Sequence, residues 1–136
     1  RMSGDEHDED GMVEDDSVAI ARALSPELDY LNVIAGTSAT ASGAAHIVPS
    51  MANSTAYVAP FAQKVKQTTG KPVFVAGRIN QPQIAERVIA EGQADLCGMT
   101  RAIQHLLHLD FSGAMAFNKL SLIVTATDFP HITVSI

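Results

Sequence analysis

Only one cysteine, Cys97, occurs in the whole chain. An internal disulfide and a multi-thiolate metal or iron–sulfur cluster are therefore both excluded, and a reducing, cytoplasmic compartment is the expectation. Basic residues are scarce: nine Lys and Arg stand against fifteen Asp and Glu, for a formal net charge of −6. Most of the acids crowd into residues 5–16. No basic face is left for nucleic acid. No run of about 18 apolar residues occurs, so no membrane span is expected. No charged segment leads into an apolar one, so no secretion signal is expected either. Short tandem repeats are absent. A chain that begins on Arg1 reads as a fragment or a processed piece.

What is present is globular. Hydrophobic residues make up 46% of the 136 positions and charged ones 18%, which suits one packed domain rather than disorder. Apolar residues at helical spacing predict a helix over 14–24, ended by Ser25-Pro26. Asp29 to Ile34 reads as a short strand. Residues 35–55, rich in Gly, Ser, Thr and Ala, read as a long structureless loop, which inside a compact domain is usually functional. Tyr57 to Thr69 reads as a helix stopped by Gly70. Pro72 to Ala76 is the next strand. Pro82 suits the first turn of a helix capped by Asn80 or Gln81 and ended by Gly92. Ala94 to Met99 is a strand, and Arg101 to Leu109 a helix. Leu120 to Ala126 and Ile132 to Ile136 are β-prone but fall outside the alternation. Helix–strand alternation from Glu14 to Leu109 predicts an α/β fold with a parallel sheet.

Two segments carry the chemistry: Pro72-Val-Phe-Val-Ala-Gly-Arg-Ile79 and Ala94-Asp-Leu-Cys-Gly-Met-Thr-Arg101. Each is an apolar run stopped at Gly with an Arg just beyond, and one amphipathic helix separates them. Strands joined by such a crossover run parallel, so both Gly/Arg ends meet at one rim. Exposed backbone N–H groups and a forked guanidinium suit a phosphate. Taken alone, the same residues also describe ordinary strand-end turns with surface arginines.

Arg1-Met-Ser-Gly-Asp-Glu6, Gly77-Arg-Ile79 with Pro82 and Ile84-Ala-Glu86, and Gly92-Gln-Ala-Asp-Leu-Cys-Gly-Met-Thr-Arg-Ala102 resemble the NADH:flavin oxidoreductase (old yellow enzyme) superfamily, in its 2,4-dienoyl-CoA reductase and trimethylamine dehydrogenase branch. The likeness covers about residues 1–102. It implies the C-terminal half of an FMN-binding TIM (β/α)8 barrel, strands five to eight, in residues 1–109, with 110–136 an unmatched tail. It also implies an oxidoreductase that passes hydride from NAD(P)H through FMN to an activated alkene, or that oxidises an amine. By position, Gly77 and Arg78, then Thr100 and Arg101, would bind the FMN phosphate, a recurrent place for phosphate in this fold. Arg1 would reach the flavin ring edge, where a cation stabilises the reduced ring. Relatives of this branch carry an iron–sulfur centre, whose cysteines are missing here. The proton-donating residues of strand four lie outside the matched half, so no catalytic acid is named.

The remaining features read more plainly. Cys97 in an apolar strand is a structural thiol. His105 and His108 are spaced like ligands but lack a third, so no metal is expected. The run Asp5 to Asp10 lacks the ligand spacing of a calcium loop, and no nucleophile elbow surrounds Ser38 or Ser42. His46 and Tyr57 flank the loop that in such a barrel faces the flavin, and read more readily as solvent-facing than as substrate contacts. Alternatives to the enzyme are a non-catalytic phosphate-binding α/β module and an inactive truncated product. Half a barrel leaves open strand edges and an apolar inner face, so self-association is expected beside a small-molecule substrate.

Overall fold

The computed structural model describes residues 1–99 and the backbone of 122–125. Strands β1 (Met2–Ser3), β2 (Leu31–Ile34), β3 (Val73–Ala76) and β4 (Leu96–Met99) pair in chain order, all parallel. Helices α1 (Glu14–Leu24), α3 (Ala59–Thr69) and α4 (Pro82–Ala90) connect them. This is a mixed α/β fold built on a four-stranded parallel sheet. A fifth strand, β5 (Leu122–Thr125), joins the outer edge of β4 antiparallel, with Leu96 opposite Thr125 and Met99 opposite Leu122.

Side-chain alternation along the strands divides the sheet into two faces. Leu31, Val33, Val73, Val75, Cys97 and Met99 are buried and form the core with Ala21, Phe61, Ala62, Val65, Ala85 and Val88 of the helices. The opposite face, Asn32, Ile34, Phe74, Ala76, Leu96 and Gly98, is only half-buried. On it the side-chain amide oxygen of Asn32, Oδ1, is buried without a hydrogen-bond partner among the described residues.

Local chemistry sets the helix ends. Glu14, Asp15 and Asp16 fill the first turn of α1, where acids complement the helix dipole. Ser17 Oγ, fully buried, donates to the Ser3 carbonyl at 3.0 Å and ties α1 to β1. Gly70 caps α3 at φ 65°, left-handed backbone that favours glycine. Asp95 accepts from Val73 N–H at 2.9 Å and pairs with Lys66 at 2.8 Å, joining α3, β3 and the entry to β4.

Several expectations need correction. Residues 35–55 are not a structureless loop: α2 spans Ala41–Ile47, and Thr40 Oγ1 accepts from Gly43 N–H at 3.1 Å as its cap. Strand β2 starts at Leu31 and β4 at Leu96, each two residues inside the expected bounds, while α3 starts at Ala59 rather than Tyr57. Gln81 is the residue preceding α4, but its side chain makes no capping bond. Gly98 lies inside β4 rather than at its stop. The β-prone segment near 120–126 stands outside the parallel alternation, as expected, but as the antiparallel strand β5 it occupies the β4 edge that was expected to be open. The expected helix 101–109 and strand 132–136 lie outside the described residues.

Candidate functional site

Parallel pairing brings the carboxyl ends of β2, β3 and β4 to one side, and a cavity of about 630 Å³ opens there. That volume is typical of small-molecule sites. Its wall includes Ile34 and Ala35 after β2, Ala76, Gly77 and Arg78 after β3, and Gly98 of β4. Arg1, the residue before β1, also lines it. Met2 packs on the helix-covered core, so alternation turns Arg1 to the other face. Among the described residues the formal charges on the wall, Arg1 and Arg78, are both positive, and none of them is a carboxylate. In a chain of net charge −6 this is a local reversal of sign, and it suits an anionic ligand.

Arg78 is held in left-handed backbone, φ 50°, as is Ala56 at φ 54°. Non-glycine residues rarely adopt this region, and strain of this kind collects at functional sites. The two are locked together: Ala56 N–H donates to the Arg78 carbonyl at 3.2 Å. The Arg78 guanidinium donates through Nη1 to the Asn53 carbonyl, which leaves the rest of the fork for a ligand. Gly77 has a packing reason beside any binding one, since a Cβ there would collide with Val58 Cγ2. Gly36, at φ 86°, lets the chain leave β2 beneath α2, where a Cβ would run into the Gly43 carbonyl.

The other side of the cavity is built from α2. His46 stacks on His7, with ring centroids 3.7 Å apart and planes 23° from parallel. His7 also lies in left-handed backbone, φ 52°. Its N–H donates to Asp5 Oδ1 at 2.7 Å, and its Nδ1 is 3.6 Å from the same oxygen. His46 Nδ1 lies 3.0 Å from the Ser42 carbonyl. Tyr57 Oη donates to the His46 carbonyl, and its partial burial raises the phenol above its ordinary range.

Of the expected site residues, Arg1, Gly77 and Arg78 share this cavity. Thr100 and Arg101 lie outside the described residues. His46 and Tyr57, read as solvent-facing, line the cavity instead. His7 escaped the sequence reading because its partner stands far along the chain. The cap signal at Thr40 would have exposed α2, and with it His46. Cys97 is fully buried, with Sγ 3.8 Å from the Ala85 carbonyl. Burial pushes its thiol up to about 12, which removes it as a nucleophile near neutrality. Among the described residues no cluster of three metal-binding side chains forms, and no helix is long and apolar enough to cross a membrane.

A parallel α/β sheet with a cationic cavity at its carboxyl ends is a common frame for anionic cofactors, and the relatives are oxidoreductases by name. The chain is 33% identical over 104 residues to the N,N-dimethylglycine/sarcosine dehydrogenase of Chromohalobacter salexigens, which covers 75% of this chain and 15% of that protein. It is 35% identical over 75 residues to a protein of Rhizobium meliloti named "Probable N-methylproline demethylase", covering 55% of this chain and 11% of that one. It is 44% identical over 39 residues to the metal reductase of Desulforamulus reducens, covering 29% of this chain and 6% of that one. The chain thus spans 15% or less of the length of each of these relatives. Residues 96–127 match a family described as "Protein of unknown function (DUF2752)".

Proposed function

We propose that this chain is the flavin-phosphate-binding part of an FMN-dependent oxidoreductase of the old yellow enzyme superfamily, with strands β1–β4 as staves five to eight of a TIM barrel. The supporting observation is the cavity that gathers Arg1, which precedes β1, with Gly77 and Arg78 after β3, and with no acid among the described residues of its wall. Thr100 and Arg101 would complete the phosphate contacts. The donor set fits FMN: backbone without Cβ and a guanidinium for the phosphate, and a second cation for the ring. When bound, FMN supplies a ring that accepts hydride, from NAD(P)H or from the substrate.

The side chains of this protein do the rest. Arg78 holds the phosphate with the part of its fork not given to Asn53. Arg1 holds negative charge at the ring edge. Tyr57, from the same turn as Ala56, forms part of the cavity wall. The names of the two dehydrogenating and demethylating relatives favour an N-methylated amino acid as substrate over an activated alkene.

Titration of the chain with FMN, followed by flavin fluorescence, tests the reading. Arg78→Ala and Arg101→Ala should each weaken binding about tenfold or more, the scale of one charge-assisted contact. Equal affinity in all three proteins would remove the site. Competition by inorganic phosphate with no preference for FMN would favour the non-catalytic phosphate-binding module instead.

A further inference from the structure

We propose that Met51 is a modification site: hydrogen peroxide converts its thioether to a sulfoxide, and the new oxygen draws the Arg78 guanidinium away from an anion in the cavity. The proposal rests on the reading of Arg78 as the anion-binding side chain and adds its regulation. It starts from where the sulfur atoms lie. Among the described residues, Met99 is 1% exposed and Cys97 is fully buried. Met2 packs against the core, and Met12 is half-buried. Met51 is 89% exposed, and it lines the same cavity as Arg78. Burial also keeps the Cys97 thiol protonated near neutrality, and a thiol meets peroxide as its thiolate. Peroxide reaching the cavity therefore finds Met51 before the other sulfur atoms of the described residues.

Local geometry joins the two side chains. Residues 50–53 form a turn in which Asn53 N–H donates to the Ser50 carbonyl and Ala52 N–H donates to Ser50 Oγ, both at 3.3 Å. Met51 stands at the second position of that turn. The Asn53 carbonyl, at its end, accepts from Arg78 Nη1. One turn thus presents the oxidisable sulfur and anchors the guanidinium. In the reaction a sulfur lone pair attacks one peroxide oxygen, and the S–O bond forms as the O–O bond breaks. The departing hydroxide takes the proton of the transferred oxygen and leaves as water. Sulfur is oxidised by two electrons and peroxide is reduced by two. A thioether is a weak acceptor, whereas a sulfoxide is polar and its oxygen accepts hydrogen bonds. That oxygen competes with a ligand for the part of the Arg78 fork not given to Asn53.

The experiment treats the full chain with limiting hydrogen peroxide, follows each methionine by peptide mass spectrometry, and then removes the peroxide. Met51 should reach half-oxidation before Met2, Met12 and Met99. Phenylglyoxal, an arginine reagent, should then modify Arg78 about fivefold more slowly than in the untreated chain, and FMN should bind about fivefold more weakly, the scale of one net hydrogen bond. Met51→Leu keeps an apolar side chain of similar volume and should show neither change after peroxide. Methionine sulfoxide reductases acting on both epimers should reverse both changes. The proposal is overturned if Met2, Met12 or Met99 oxidises first, if Arg78 reacts equally fast with Met51 oxidised, or if FMN binds equally well before and after. It is also overturned if Met51→Leu responds to peroxide as the wild type does, or if the reductases restore neither readout. The phenylglyoxal arm needs no flavin, so it separates the two readings. An untreated chain that binds no FMN, with Arg78 shielded on oxidation of Met51, sinks the flavin reading and leaves Met51 standing. FMN binding by the untreated chain, with Arg78 unaltered by oxidation, sinks the Met51 proposal alone.

Discussion

At Gly77 a single added methyl group decides between packing and collision. Its Cβ would fall on Val58 Cγ2 in the turn before α3. Gly77→Ala should therefore destabilise the fold by about 1–3 kcal/mol, the usual cost of overpacking, as a lowered urea midpoint with unchanged slope. Cys97 makes a second prediction of known sign. Its thiol is raised from 9.0 to about 12 by burial. A group raised on folding adds stability that is whole below its unfolded value and lost as pH climbs toward the folded one. Between about pH 9 and about pH 12 the unfolding free energy should fall by about 1.4 kcal/mol per pH unit on this account. Cys97→Ala should remove that part of the slope, read as the difference between wild-type and variant urea midpoints at alkaline pH.

Among the elements, α2 is the one on which the His46 side of the cavity depends. It is seven residues long, and its cap is the Thr40 hydroxyl on Gly43 N–H. Thr40→Ala should cost about 1 kcal/mol, and hydrogen exchange should quicken first at the amides of Gly43 to Ile47. Helices α1, α3 and α4 were legible in the sequence because apolar residues recur at helical spacing and Pro or Gly marks their ends. Helix α2 was not, because Ala-Ser-Gly-Ala-Ala carries no apolar stripe and only the cap announces it. Strand β1 is too short to show any period, yet it pairs Met2 with Val33 and Ser3 with Ile34. The Gly77-Arg78 half of the site was legible because it closes a clear strand. The His7–His46 stack was not, because contact between distant loops leaves no local pattern.

For the whole molecule, the helices cover one face of the sheet and leave Ile34, Phe74, Ala76 and Leu96 half-buried on the other. Apolar surface of this kind seeks a cover, and among the described residues β1 ends the sheet, an edge whose backbone groups can pair with one. Self-association is the expected outcome in sedimentation, with apparent mass rising with concentration. A monomeric 14.4 kDa species that unfolds cooperatively at every concentration would contradict it. The β5 ribbon gives this expectation a direction. Running opposite to its neighbour, it occupies the flank of β4 on which any further parallel stave would have to seat. Growth on that flank and retention of the ribbon exclude each other, so recruitment must either begin from β1 or start by evicting residues 122–125.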